Sequence, residues 1–188
     1  MKAYSKNALL AGLCLTLIST GAMAATKTSS HTELQNILPQ IQALSQDQNV
    51  VSAVLSANSA HASLDAADLR KLGRDWHDGL QGKPSTVLSE VNNSALSQQL
   101  KSTLQNSHGL YQSITVTDQK GLVIGETENA KHYAEASQGF FKKIVEGGPS
   151  AVYYGKAPKG SSGAGSVGVP VVDQGKVIGT LVVEVQSH

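Results

Sequence analysis

The stretch Tyr111-Gln-Ser-Ile-Thr-Val-Thr-Asp118, followed by Gln119-Lys-Gly121 and Leu122-Val-Ile-Gly-Glu-Thr127, decides the fold. Strand-forming residues alternate along the first run, the period of a strand with one buried face. A polar link ending in glycine joins it to a second such run, and the two predict an antiparallel hairpin. Downstream, Ala134 to Gly147 reads as a helix with Phe140, Phe141, Ile144 and Val145 as its apolar residues and Gly147-Gly148 as its stop. Ala151-Val-Tyr-Tyr154 is a third strand and Ser166 to Val172 a fourth. A turn at Asp173-Gln-Gly175 leads into a fifth from Lys176 to Val185.

Upstream of Gly109 the chain changes character. Residues 25–108 hold three glycines and are rich in Ala, Leu, Ser and Gln, whereas residues 109–188 hold thirteen. Helices therefore come first and an antiparallel sheet afterwards, an α+β order. Leu34, Ile37, Ile41, Leu44, Val51 and Leu55 recur at three- and four-residue spacing and predict one long helix over 34–58 with a single apolar stripe. Pro39 either starts that helix or kinks it. Gln48 and Asn58 interrupt any heptad pattern. A second helix takes Ser63 as N-cap, puts Leu69, Leu72 and Trp76 on one face and ends before Gly79. Pro84 to Val91 adds a short helical turn. A third helix runs from Ser94 through Leu96, Leu100 and Leu104 to His108-Gly109.

The composition narrows the function. The chain has 188 residues, 15 Lys+Arg, 14 Asp+Glu and one cysteine. A formal charge of +1 with no basic run gives no electrostatic footprint for nucleic acid. One cysteine excludes a disulfide framework and a multi-cysteine zinc site. Lys2 and Lys6, the apolar run Ala8 to Ile18 and Ala22-Met-Ala24 form a secretory signal with cleavage expected after Ala24. The expected product, residues 25–188 as one domain, has no cysteine; losing Lys2 and Lys6 brings its formal charge to −1. In a Gram-negative cell it would be periplasmic.

The order of long helix, hairpin, helix with paired aromatics, strand, loop and final hairpin resembles the Cache family, the extracytoplasmic PAS-like sensor domains of bacterial receptors. The resemblance rests on Ile114-Thr-Val-Thr-Asp-Gln-Lys-Gly-Leu-Val-Ile124, Gly139-Phe-Phe-Lys-Lys143 and Val169-Pro-Val-Val-Asp-Gln-Gly-Lys-Val-Ile-Gly179, and spans roughly residues 30–186. It implies a five-stranded antiparallel sheet with a long N-terminal helix on one face. It also implies a small ligand on the other face, beneath the segment joining the second and third strands. Members usually sit between two membrane helices and signal to a kinase, cyclase or chemotaxis module. This chain shows neither the second membrane helix nor an effector.

The resemblance places Tyr133, Phe140, Phe141, Tyr153 and Glu184 near the ligand. Amino-acid-binding members use a tyrosine, an arginine, a tryptophan and a final-strand aspartate; here Tyr133 and Glu184 match the outer two and Phe140 replaces the tryptophan. The arginine is missing, with Ser137 and Gln138 in its neighbourhood, so the bidentate grip on a carboxylate is lost. Lys142 or Lys143 is left as a point charge. The expected ligand is a small solute such as an amino acid, an amine or an organic acid, and no cofactor is called for.

Other strings have simpler explanations. Gly163-x-Gly165-x-x-Gly168 spells a dinucleotide fingerprint but lacks the strand before and helix after it. Gly160 to Gly165 has the glycine spacing of a P-loop, with Ser166 where the lysine belongs. Ala164-Gly-Ser-Val-Gly168 is a relaxed nucleophile elbow without its strand-to-helix turn. All three read as loop. The six histidines show no ligand spacing. Asp118 and Asp173 sit at hairpin turns, where carboxylates bond backbone amides. The sequence thus points to a non-catalytic periplasmic binding or sensing protein that reports to a membrane receptor kinase, cyclase or chemoreceptor. The alternative is an interaction or scaffold protein that keeps the fold without a ligand.

Overall fold

A computed structural model describes residues 30–157 and 163–186; the predicted signal segment and Gly160 lie outside them. Five helices lead: α1 (Ser30–Ser45), α2 (Gln48–His61), α3 (Ala66–Leu80), α4 (Thr86–Asn93) and α5 (Ala95–Asn106). Then come β1 (Tyr111–Asp118), β2 (Val123–Glu126), α6 (Gly139–Gly147), β3 (Tyr153–Lys156), β4 (Gly163–Asp173) and β5 (Lys176–Gln186). The strands form one antiparallel sheet in the order β2-β1-β5-β4-β3. This is an α+β, PAS-like architecture with the N-terminal helices packed on one face of the sheet.

The change of periodicity near residue 109 is where the helices end. His108 (φ 52°) and Gly109 (φ 84°) are both left-handed and turn the chain from α5 into β1. The main core lies between sheet and helices. Ile114, Val116, Val167, Val169, Leu181 and Val183 meet Leu34, Ile37 and Ile41 from α1, Val50 and Val54 from α2, and Leu100 from α5. Each such side chain, fully buried, contributes about 1.5–3 kcal/mol.

The N-terminal helical run differs from the sequence expectation in one respect. It runs unbroken through Pro39 and breaks at Gln46-Asp47 instead. The Asp47 carboxylate accepts the Asn49 N–H at 2.9 Å, capping α2, and also accepts Gln99 Nε2 of α5 at 3.1 Å. A new helix start resets the phase of the apolar stripe. Val50 and Val54 therefore face the sheet, whereas the expected Leu55 is 39% exposed.

The α3–α4 hairpin builds a smaller core. Asp65, not Ser63, caps α3, with Asp68 returning the bond to the Asp65 N–H. The Asp75 carboxylate accepts both Ser85 Oγ and the Val87 N–H at 2.8 Å, tying α3 to the start of α4. Trp76, Val87 and Val91 pack against Leu122, Val123 and Tyr133. The expected helix end before Gly79 extends to Leu80, and the expected turn at Pro84 to Val91 is α4.

The β1–β2 turn is fixed by Asp118, which is fully buried. Its Oδ1 accepts the N–H groups of Lys120 (2.9 Å) and Leu122 (2.8 Å), and its Oδ2 meets His61 Nδ1 at 2.8 Å. The expected helix from Ala134 starts only at Gly139. The preceding residues are extended alongside β2, with the Val123 N–H bonded to Tyr133 O, the Glu135 N–H to Gly121 O, and Leu122 bridged to Ala134. Gly121, at φ 75°, has no room for a Cβ, which would stand 2.6 Å from the Ala136 nitrogen. β4 begins at Gly163, so the described part of the glycine-rich stretch is strand rather than loop. Ser166 pairs with Glu184 and Gly155 in mid-sheet, without the turn a nucleophile elbow needs.

Candidate functional site

The sheet face turned away from α1 and α2 carries an open cleft of about 400 Å³. Strand alternation supplies its floor. Ile114 and Val116 point into the helical core, so Ser113 and Thr115 point the other way, opposite Glu184 and Val182 of β5. A β-bulge between Tyr111 and Ser113 makes this parity possible. Tyr111 remains on the helix side, donating its hydroxyl to Gln40 Oε1 at 3.0 Å, while Ser113 two residues on faces the cleft.

The walls come from the strap joining β2 to α6. Glu128, Asn129, Lys131, His132, Glu135 and Gln138 line one side, and Phe140 at the start of α6 closes the end. The strap is anchored by the Trp76 indole N–H, which donates to Ala130 O at 2.9 Å, and by the Ala130 N–H, which donates to Glu126 Oε2 at 2.7 Å.

Three carboxylates face this cleft (Glu128, Glu135 and Glu184) against one lysine and one histidine. Glu135 is only 8% exposed; burial pushes its carboxyl above the usual range, and His132 opposes the shift. Behind the strap Glu126 is fully buried and its Oε1 has no hydrogen-bond partner. Desolvation pushes its carboxyl up to about 7, against the Ala130 N–H and the Lys101 charge.

The sequence-derived site residues divide into four groups. Phe140 and Glu184 line the cleft. Tyr153 stands beside it on β3, its ring 6.3 Å from that of Phe140 and with Lys143 Nζ 5.5 Å above it. Phe141 is on the buried face of α6, and Lys142 is exposed outside the cleft lining; Lys143, not Lys142, reaches the aromatic pair. Tyr133 is not brought to this cleft. Neighbouring residues of an extended chain point oppositely, so His132 faces the cleft while Tyr133 packs on Trp76 at 5.4 Å between ring centroids. The reading from sequence omitted Ser113, Thr115 and Glu135. The first two were accessible from alternation with Ile114 and Val116; Glu135 had no local signal, because its burial depends on the strap.

Among the described residues no cluster of three or more His, Cys, Asp or Glu is placed to hold a metal ion. No described helix is long and apolar enough to cross a membrane.

No protein-family model matches the chain, and no curated protein matches it. Solved structures give loose likenesses. The extracellular domain of the putative histidine kinase rpHK1S-Z16 is 13% identical with a TM-score of 0.40, over 84% of this chain and 57% of that one. The sensor domain of Escherichia coli DcuS is 18% identical with a TM-score of 0.37, over 64% and 87% respectively. The type II free methionine-R-sulfoxide reductase of Thermoplasma acidophilum is 15% identical with a TM-score of 0.38, over 49% and 77%. Sensor domains and an enzyme thus stand side by side at scores too low to transfer a ligand, an activity or a partner.

Proposed function

We propose that the protein is a non-catalytic binding or sensing protein of the periplasm, freed of residues 1–24, that holds a small ammonium-bearing solute in the cleft beneath the β2–α6 strap. The observation that carries this reading is the cleft's charge balance: three carboxylates against one lysine and one histidine around a hydroxyl-lined floor. Glu184 and Glu135 accept from the ammonium, Ser113 and Thr115 offer hydroxyls, and Phe140 gives an apolar wall. Small-molecule sites commonly combine such a wall with a few converging polar groups. The same balance disfavours an organic acid. In this reading the occupied protein is recognised by a membrane receptor kinase, cyclase or chemoreceptor.

A thermal-shift screen of amino acids, polyamines and organic acids tests it. A ligand at 100 times its dissociation constant, bound only to the folded state, adds about 2.7 kcal/mol. For a domain of this size the melting temperature rises by roughly 5–10 °C. Amines should shift it and organic acids should not. Glu184→Gln should weaken the shift, whereas Glu146→Gln, exposed on α6 outside the cleft lining, should not. Because burial raises the Glu135 carboxyl, amine affinity should grow as pH rises and that group ionises. No shift from any amine refutes the reading and favours a scaffold.

A further inference from the structure

The strap has a second side. Behind it, a cleft of about 310 Å³ opens between the C-terminal end of α2, the α3–α4 hairpin and β2. Its walls are apolar: Leu64 and Leu72 on one side, Val91 on another, Val123 and Ile124 of β2 beneath. Leu64, Leu72 and Ile124 are only half-buried, so their side chains still present apolar surface there. α2 packs on the sheet and on α5, α4 packs on α3, α5 and β2, and the cleft is lined from both α2 and α4.

Four polar residues line this apolar space: His61 from α2, Glu90 from α4, Ser94 between α4 and α5, and Tyr133 from the strap. His61 and Tyr133 are fixed by their neighbours, whereas Glu90 is exposed. Asp118, fully buried, holds His61 Nδ1 at 2.8 Å, which commits that nitrogen and leaves Nε2 for a ligand. Tyr133 is held by its ring on Trp76 and by its backbone in the bridge to Val123. Burial, then the Asp118 and Glu90 carboxylates, push its phenol up to about 12, so it is a neutral hydroxyl that feels negative charge on two sides. Glu90 and, behind His61, Asp118 supply two carboxylates; among the described residues no lysine or arginine lines the cleft, and the Lys120 ammonium beside it is held by the Ala62 and Leu64 carbonyls at 3.1 and 2.9 Å.

We propose that this cleft is a second ligand site, distinct from the polar cleft across the strap, which takes a primary amine on an apolar body, of the arylalkylamine or medium-chain alkylamine type. The apolar body lies on Leu64, Leu72 and Ile124. The ammonium donates to Glu90 and to the Tyr133 oxygen, and His61 Nε2 takes a further bond when neutral. A carboxylate in the same place would face Glu90 and, through His61, Asp118. A volume near 310 Å³ is at the low end for ligand pockets and fits a body of phenethyl size.

Phenethylamine, 2-phenylethanol and phenylacetate share one body and differ in the head. Titrating each into the full chain, followed by backbone amide NMR, separates the two clefts by position. Phenethylamine should move the amides of Leu64, Leu72, Val123 and Ile124; Ser113 and Glu184 report the other cleft. Affinity should fall from amine to alcohol and be weakest for the acid. Glu90→Gln, at an exposed position that leaves packing intact, should weaken the amine roughly 3- to 10-fold and leave the alcohol unchanged. Tyr133→Phe keeps the ring on Trp76 and should weaken amine and alcohol alike. Glu146→Gln, exposed on α6 and outside both cleft linings, should change neither. Shifts confined to Ser113 and Glu184, equal affinity for acid and amine, or an undiminished amine affinity in Glu90→Gln would each overturn the proposal. The first of these results would leave the amine reading of the polar cleft standing.

Discussion

Glu126→Gln isolates one buried carboxyl and its effect on stability with pH. Glu126 is fully buried, with Oε2 on the Ala130 N–H and Oε1 without a partner. Its carboxyl is raised from about 4.5 to about 7, mainly by desolvation. Below pH 4.5 both folded and unfolded chains carry the proton, and above 7 both have lost it. Between the two the unfolded chain ionises first, so stability falls as pH rises and then levels off. At about 1.4 kcal/mol per pH unit the whole loss is about 3 kcal/mol, of which roughly 2–3 falls between pH 5 and pH 8. Glutamine keeps the Ala130 bond and cannot ionise. Its amide nitrogen in the place of Oε1 costs about 1–3 kcal/mol if it is left unpaired, but that cost is the same at both pH values. Glu135 is raised in the same direction and adds a slope to both proteins, and its charge is the smallest of the causes acting on Glu126. Urea denaturation at pH 5 and pH 8 should therefore show the wild type losing about 2–3 kcal/mol more than the variant. An identical loss in the two proteins would refute the reasoning.

Two further changes test the fold. Asp47→Ala removes the cap of α2 and the bond to Gln99, and should lower stability by about 1 kcal/mol with the urea m-value unchanged; an unchanged midpoint would mean the helix break is set elsewhere. Gly125→Val would place a Cβ 2.6 Å from the Leu96 side chain. It should cost about 1–3 kcal/mol in the same assay, with partial recovery when Leu96→Ala is added, and a full-strength single variant would contradict the close packing of α5 on β2.

The sheet was legible because its signals are local. β1 runs from Tyr111 to Asp118 as alternation and the Gly121 turn require, and Ser94 caps α5 through the Ser97 N–H. The α1–α2 break was not legible: Asp47 caps with a partner, Gln99, fifty-two residues away, and Pro39 offered a stronger local signal that the helix simply tolerates. The late start of α6 has the same origin. Residues 133–135 have no strand pattern of their own and are extended only because Gly121 and Val123 bond to them. For the site, Glu184 and Phe140 came through because each lies on an element whose face was readable. Tyr133 and His132 went to opposite sides of a strap whose path only the tertiary structure determines.

The order of the strands has a consequence for how the protein behaves in a crowded compartment. The strands of eight and eleven residues, β1, β4 and β5, lie inside the sheet, and the two four-residue strands stand at its margins. At one margin β2 has already bonded its Val123 N–H to Tyr133 O, so the strap occupies part of the outward-facing backbone. At the other, β3 offers four residues ending in the exposed Lys156. A stray strand seeking a template finds one rim partly taken and the other too short and too charged to extend. Short, charged margins of this kind protect a sheet against edge-to-edge aggregation, and here the long valine-rich strands are kept where no second chain can pair with them.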